Sequence, residues 1–285
     1  MSRILFCFGL GYSALTLARR LAGQGWEIRG TTRGPEKAAA LAAEGWRVFV
    51  FDRMHPLPPE ALVGVTHALT SIAPDEAGDP VLDLHARDLA ALPGLAWIGY
   101  LGTTAVYGDR QGGWVDEDTP IEPTLARADR RARAEAAWRE SGLPVHIFRL
   151  AGIYGPGRNA FVNLKEGTAR RIVKPGQVFS RIHVEDIATV LAASMARPRP
   201  GAIYNVCDDE PAPPQDVVAY AAALAGTDPP PEQPYETAEL SPMARTFYRD
   251  NRRVRNDRIK RELGVTLAYP TYREGLRALL PVDGP

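Results

Sequence analysis

"FGLGYSA", residues 8–14, decides how this chain is read. The apolar run ILFCFG (4–9) leads into it, and YSALTLARRLAGQG (12–25) leads out with Leu15, Leu17, Ala18 and Leu21 on helical spacing. The stretch therefore joins a strand to a helix and carries G-x-G-x-x-A at Gly9, Gly11 and Ala14. Each position has a physical task. Gly9 permits the tight turn, Gly11 lets a pyrophosphate approach the backbone, and Ala14 lets helix and strand pack closely. The helix N-terminus adds free N–H groups and a partial positive charge. Gly9, Leu10, Gly11, Tyr12, Ser13 and Ala14 are the predicted phosphate loop.

Outward from the loop, strand and helix alternate. WEIRGT (26–31), WRVFVFD (46–52), VTHALTSI (65–72), LAWIGYLGTT (95–104) and LPVHIFRL (143–150) read as strands. PEKAAALAAEG (35–45) reads as a helix opened by Pro and closed by Gly. This rhythm predicts an α/β fold, a Rossmann-type doubly wound parallel sheet. Beyond residue 150 the pattern loosens. AGIYGPGRNAF (151–161) is a loop, 183–196 a helix, AIYNVCD (202–208) a strand and PPPEQP (229–234) a linker-like break, with two helices near 256–263 and 271–280. The expected division is a dinucleotide-binding domain of residues 1–150 plus 182–206, and a small C-terminal substrate lobe of 151–181 plus 207–285.

The second strand ends Arg29-Gly30-Thr31-Thr32-Arg33, with no carboxylate at its tip to hold a ribose 2′-hydroxyl. Arg33, with Thr31 or Thr32, could meet a 2′-phosphate instead, so NADP(H) is expected over NAD(H). A solvated loop arginine is the alternative. Asp52 is placed either to meet the adenine or to form a turn. Ser71, Ile72 and Ala73, at the end of the fourth strand, complete the expected cofactor contacts.

Composition narrows the function classes. The 285 residues hold 34 Lys+Arg and 34 Asp+Glu, so no global field draws the chain to nucleic acid or membrane. Cys7 and Cys207 sit in apolar runs and read as reduced core residues, which suits a cytoplasmic protein. Five scattered histidines without metal-ligand spacing give no reason to expect a metal.

Several segments together resemble the extended short-chain dehydrogenases/reductases, the family of nucleotide-sugar epimerases and dehydratases. Thr103-Thr104-Ala105-Val106-Tyr107-Gly108 resembles that family's S-S-x-x-V-Y-G, and Asp116-Glu117-Asp118-Thr119-Pro120 its D-E-x-x-P. Arg149 to Gly157 resembles R-x-x-x-x-Y-G-P-G, and Ile182 to Ala188 resembles I-H-V-D-D-x-A. The resemblance runs from residue 4 to about 225. It implies an active-site Tyr-x-x-x-Lys in PTLARADRRARAEAAW (123–138), a helix opened by Pro123 and Thr124. Counting back from Glu135 puts Arg127 at the tyrosine position and Arg131 at the lysine position. The chain is similar to the atypical subgroup that lacks the pair.

That replacement has chemical meaning. Arginine stays protonated, so Arg127 cannot act as a general base, but it can bind a carbonyl, carboxylate or phosphate. Arg131 could bind the nicotinamide ribose as the family's lysine would. Thr103 keeps the hydroxyl that the family aims at the substrate oxygen. The alternative is a solvated basic face with Asp129–Arg133 and Arg131–Glu135 pairs. Tyr107 is the first candidate for any proton transfer, against a packing role; His183 and the Asp116-Glu117 pair are weaker candidates. The basic segment 245–262 reads as a solvated helix, with Arg252 or Arg253 as a candidate phosphate contact.

Two functions fit: an NADP(H)-dependent oxidoreductase or epimerase/dehydratase-like enzyme on a small anionic substrate, or a non-catalytic NADP(H)-binding module. The resemblance also implies a homodimer through the helices near 80–92 and 124–141.

Overall fold

A computed structural model describes residues 3–284. Strand β1 (Ile4–Phe8) is buried along its whole length. Its side chains divide by the strand period of two: Leu5 and Cys7 enter one core, while Ile4, Phe6 and Phe8 enter another on the opposite face. A strand apolar on both faces belongs at the centre of a parallel sheet covered on both sides. With β2 (Glu27–Thr32), β3 (Arg47–Val50), β4 (His67–Thr70), β5 (Trp97–Thr103), β6 (Val145–Leu150) and β7 (Ile203–Val206) it forms a seven-stranded parallel sheet in the order 3-2-1-4-5-6-7. The order reverses between β1 and β4, which opens a crevice at the carboxyl ends of the strands. Cys7 and Cys207 are buried free thiols.

The described residues form ten α-helices. They are α1 (Tyr12–Ala22), α2 (Pro35–Ala43), α3 (Pro80–Ala90), α4 (Ala126–Glu140), α5 (Ala160–Lys165), α6 (Val184–Ala196), α7 (Pro214–Ala225), α8 (Pro242–Phe247), α9 (Asp257–Leu263) and α10 (Tyr272–Asp283). Leu17 of α1 and Ile187 and Leu191 of α6 cover the face carrying Leu5. Val81 and Leu89 of α3 and Trp138 of α4 cover the face carrying Phe6. A smaller core gathers Tyr154, Phe161, Ala221, Tyr272 and Leu276 from the C-terminal elements.

Some expectations need correction. The break at 229–234 contains a short strand, Glu232–Pro234, paired with Arg171–Val173. The basic segment 245–262 is not one helix: it contains the end of α8, the strand Arg253–Val254 and most of α9. The helix expected from Pro123 starts at Ala126 with Leu125 at its N-cap.

Helix α4 buries only Ala128, Ala132, Ala134, Glu135 and Trp138. One bulky apolar side chain is a weak anchor for a helix this polar. Polar groups complete the docking. Trp138 Nε1 donates to Asp79 Oδ2 at 2.9 Å, and Asp79 also caps α3 by accepting from the amides of Val81 and Leu82. Glu135 does not pair with Arg131. It takes a two-pronged contact from Arg149 of β6, Nε to Oε2 at 3.1 Å and Nη2 to Oε1 at 2.5 Å. Both side chains are almost wholly buried. The Asp129–Arg133 pair does form, at 2.9 Å.

Burying two charges costs several kcal/mol per ion unless every lone pair and proton is matched. Removing one partner strands the other. Glu135→Ala should therefore cost about 3–5 kcal/mol in urea denaturation; a loss below ~1 kcal/mol would show that the pair does not hold α4.

Candidate active site

The phosphate loop is clamped by the strands beside it. Gly9 has φ +87°, the left-handed region that favours glycine. A Cβ there would lie 2.9 Å from Ser71 Oγ and 3.0 Å from Ile72 Cγ1. Gly9 N donates to Thr31 Oγ1 at 2.8 Å, Leu10 N donates to Thr31 O at 2.8 Å, and Ser71 Oγ donates to Gly9 O at 2.5 Å. The tips of β2 and β4 thus set the turn. Gly11 is the N-cap of α1, with no side chain capping the helix, and a Cβ there would meet nothing nearer than Ser71 Oγ at 3.9 Å. This leaves an open cradle before the first-turn amides of Tyr12, Ser13 and Ala14. A pyrophosphate fits such a place by charge and by donor geometry.

At the tip of β2, Arg33 is exposed, with no hydrogen bond or ion pair among the described residues. Thr32 Oγ1 is committed to its own turn, donating to Gly34 O at 2.9 Å. A second cation stands here that sequence reasoning missed. Lys37, in the first turn of α2, donates from Nζ to Leu10 O at 2.7 Å. Its signal was its place four residues after Arg33, inside a helix with few other charges. Asp52 serves as a turn former: its Oδ1 accepts from the amides of Met54 and His55 at 2.8 and 2.9 Å. These bonds and the His55 ring hold its carboxyl below the usual carboxylate range. It is not among the residues lining the cleft beside the phosphate loop.

That cleft has a volume of about 820 Å³ and runs from Gly11 and Tyr12, past Ser71, Ala73 and Thr103, to α4 and α8. Its lining carries six arginines, Arg127, Arg130, Arg131, Arg158, Arg181 and Arg252, and one carboxylate, Asp250. Asp250 is already engaged, accepting from Thr124 Oγ1 at 2.6 Å and from Arg252 Nη1 at 3.3 Å. Arg131 Nη1 donates to Leu101 O at 2.8 Å, which pins its guanidinium to the end of β5. Arg127 lies 4.6 Å over the ring of Phe247 and contacts Met243 Sδ at 2.7 Å, so α8 covers it. Thr103 Oγ1 accepts from Ala105 N at 3.1 Å and keeps its own proton to donate. Thr103, Arg127 and Arg131 therefore line one cleft with the phosphate loop.

Tyr107 does not line it. It is fully buried, accepts from Arg149 Nη1 at 2.8 Å and donates to Asn205 Oδ1 at 2.8 Å. Burial pushes its hydroxyl up to about 12. The expectation that Tyr107 moves a proton is corrected: it belongs to the Arg149–Glu135 network. Of the tail arginines, Arg252 lines the cleft and donates to Gly108 O at 2.7 Å, whereas Arg253 points to Gly112 O, outside it. Among the described residues no group of three or more His, Cys, Asp or Glu could hold a metal, and no helix is long and apolar enough to cross a membrane.

A sheet of order 3-2-1-4-5-6-7 with a glycine loop at its reversal defines a Rossmann-type dinucleotide-binding protein. No family profile matches the chain. A conserved protein of unknown function from Silicibacter pomeroyi shares 57% identity, with 98% of this chain and 99% of that one covered and a TM-score of 0.89. A structure from Methylobacillus flagellatus, provisionally named an NAD-dependent epimerase/dehydratase, shares 27% identity over 98% of both chains at a TM-score of 0.73. Protein YeeZ of Escherichia coli K12 is 28% identical over 78% of this chain and 84% of its own. At 17% identity, the dTDP-glucose 4,6-dehydratase of Bacillus anthracis, solved with NAD, shares the fold at a TM-score of 0.76 over 97% of this chain and 94% of that one. Its neighbours in sequence and structure are thus NAD-dependent epimerase/dehydratase-like proteins and sugar-nucleotide dehydratases, of the extended short-chain dehydrogenase/reductase family.

His183 is structural in this geometry. It caps α6, its Nδ1 accepting from Glu185 N at 3.2 Å, and its ring packs against Tyr154 and Tyr269. Burial lowers it to about 4, so the folded state keeps the ring neutral. A pKa lowered on folding leaves its stability intact above the unfolded value near 6.5 and removes it as pH falls towards 4. Half-buried His67, lowered to about 4 by desolvation, acts in the same direction. Urea midpoints should fall from about pH 6.5 to 4, and His183→Asn, which keeps a cap, should flatten that slope. An unchanged slope would remove His183 from the account.

Proposed function

We propose that this chain is an NADP(H)-dependent oxidoreductase, epimerase/dehydratase-like in ancestry, acting on a small anionic substrate through a non-standard site. The observation that carries this reading is the cleft itself: an open phosphate cradle at one end and six arginines against one neutralised carboxylate along its walls. When bound, the nicotinamide cofactor supplies or accepts the hydride. The protein binds and orients. The amides of Tyr12, Ser13 and Ala14 hold the pyrophosphate, and Arg33 and Lys37 meet the 2′-phosphate. Arg131 sits where the nicotinamide ribose would lie against β5. Arg127, Arg130 and Thr103 donate to the anionic substrate, an organic acid or a sugar nucleotide. A curated relative from Streptomyces, a 3-diazoavenalumate denitrifying reductase, is 27% identical over 87% of this chain, which agrees with reductive chemistry. Residues 1–150 plus 182–206 serve as the cofactor domain and the remainder as the substrate lobe, in a cytoplasmic homodimer.

A second reading has its own support. Arg127 is already stacked on Phe247, and the positions of the catalytic tyrosine and lysine are both arginine. A non-catalytic NADP(H)-binding module would show both features. Hydride exchange with 4R- and 4S-deuterated NADPH separates the two.

Calorimetric titration tests the cofactor assignment. NADPH should bind at least about 10-fold more tightly than NADH, and Arg33→Ala and Lys37→Ala should each remove about 1–2 kcal/mol of the NADPH preference. Equal affinity for both cofactors would refute the assignment. Gly11→Val, which meets open space, should leave the melting temperature unchanged and abolish binding of either cofactor. Retained binding in that variant would place the pyrophosphate elsewhere.

A further inference from the structure

The reacting end of the cleft is rich in hydrogen-bond donors and poor in acids. Reducing a carbonyl to an alcohol needs a hydride on carbon and a proton on oxygen, and a side-chain acid near Thr103 would normally deliver the proton. The cleft offers two tyrosines. Tyr12 is raised to about 12 by burial and already donates to Pro156 O at 2.9 Å. Tyr154 is pushed up by burial and by Asp208, and turns its hydroxyl toward Thr271 O. Asp250 is paired, and Tyr107 lies behind the wall. The arginines stay charged. Such a site stabilises negative charge on a substrate but leaves its discharge to solvent, which favours a reaction whose anion is already delocalised, as an enolate is, over one that forms a localised alkoxide with no acid beside it.

We propose that the substrate is an anionic enone, an α,β-unsaturated carbonyl compound bearing a carboxylate, and that the reaction reduces its carbon–carbon double bond. This rests on the reading of the chain as an NADP(H)-dependent oxidoreductase. When bound, the reduced nicotinamide would supply the hydride that forms a C–H bond at the β-carbon and would be left oxidised. The alkene π pair shifts to give an enolate. Its oxygen accepts from the Arg127 guanidinium and the Thr103 hydroxyl, donors that gain strength as the charge develops. Water entering the open cleft then protonates the α-carbon and leaves as hydroxide. No side-chain acid is required. Arg130, which lines the cleft and makes no ion pair or side-chain hydrogen bond among the described residues, holds the substrate carboxylate.

The test uses the 285-residue protein with trans-3-benzoylacrylate, which carries a carboxylate, an alkene and a ketone, and either 4-deuterated NADPH in H2O or unlabelled NADPH in D2O. The expected product is 3-benzoylpropionate, with cofactor deuterium on the carbon β to the ketone and solvent deuterium on the α-carbon. Turnover should be flat between about pH 6 and 9, since arginine does not titrate there. Arg127→Met should lower kcat on the order of 100-fold, whereas Arg130→Ala should raise KM with kcat unchanged. Reduction of the ketone to 4-hydroxy-4-phenylbut-2-enoate would overturn the proposal. So would the absence of turnover while calorimetry shows NADPH bound, and in that case the cofactor assignment would stand. Failure to bind NADPH would overturn both.

Discussion

The buried ion pair between Glu135 and Arg149 fixes the wall on which the site is built. Helix α4 has only Trp138 as a large apolar anchor, so its rotation about its own axis is weakly specified by packing. The two-pronged contact to β6 sets that rotation, because guanidinium and carboxylate must meet in one plane. With Glu135 facing the sheet, Arg131 falls one turn earlier against the end of β5, and Arg127 one turn before that under α8. The spare N–H of Arg149 goes to Tyr107, which is how a tyrosine at a site-like position in the sequence becomes part of the scaffold.

The phosphate loop is built by the same economy of contacts. Thr31 from β2 and Ser71, just after β4, each satisfy one backbone group of Gly9, and the left-handed φ of Gly9 turns the chain between them. The helix that follows starts with its amides free. One end of the cleft thus carries the partial positive charge of a helix terminus, and the other carries full charges on guanidinium groups. Both ends favour anions, which suits a phosphate-bearing cofactor beside an acidic substrate.

Much of this was legible in the sequence. The sheet followed from short apolar runs separated by helical spacing, since β1 must bury both faces and Gly9 must turn. That Arg127 and Arg131 share one face of a helix followed from their i,i+4 spacing, and both line the cleft. What was not legible depends on distant partners. Nothing local to Tyr107 says that Arg149 and Asn205 occupy its hydroxyl. Nothing near Arg131 says that Glu135 is taken by β6 and that a β5 carbonyl is its acceptor. Lys37 was overlooked because only the fold brings its amine to the Leu10 carbonyl. The strand at Glu232–Pro234 hides in a proline-rich run because its pairing with Arg171–Val173 is set across a long separation.

The central claim is that one continuous cleft holds both the dinucleotide and the substrate anion. A crystal structure of the NADPH complex tests it most directly. The account predicts the 2′-phosphate between Arg33 and Lys37, the pyrophosphate on the amides of Tyr12 and Ser13, and the nicotinamide between Thr103 and Arg131, with its reactive face turned to Arg127. A nicotinamide directed away from Thr103, or a 2′-phosphate without either cation, would contradict it.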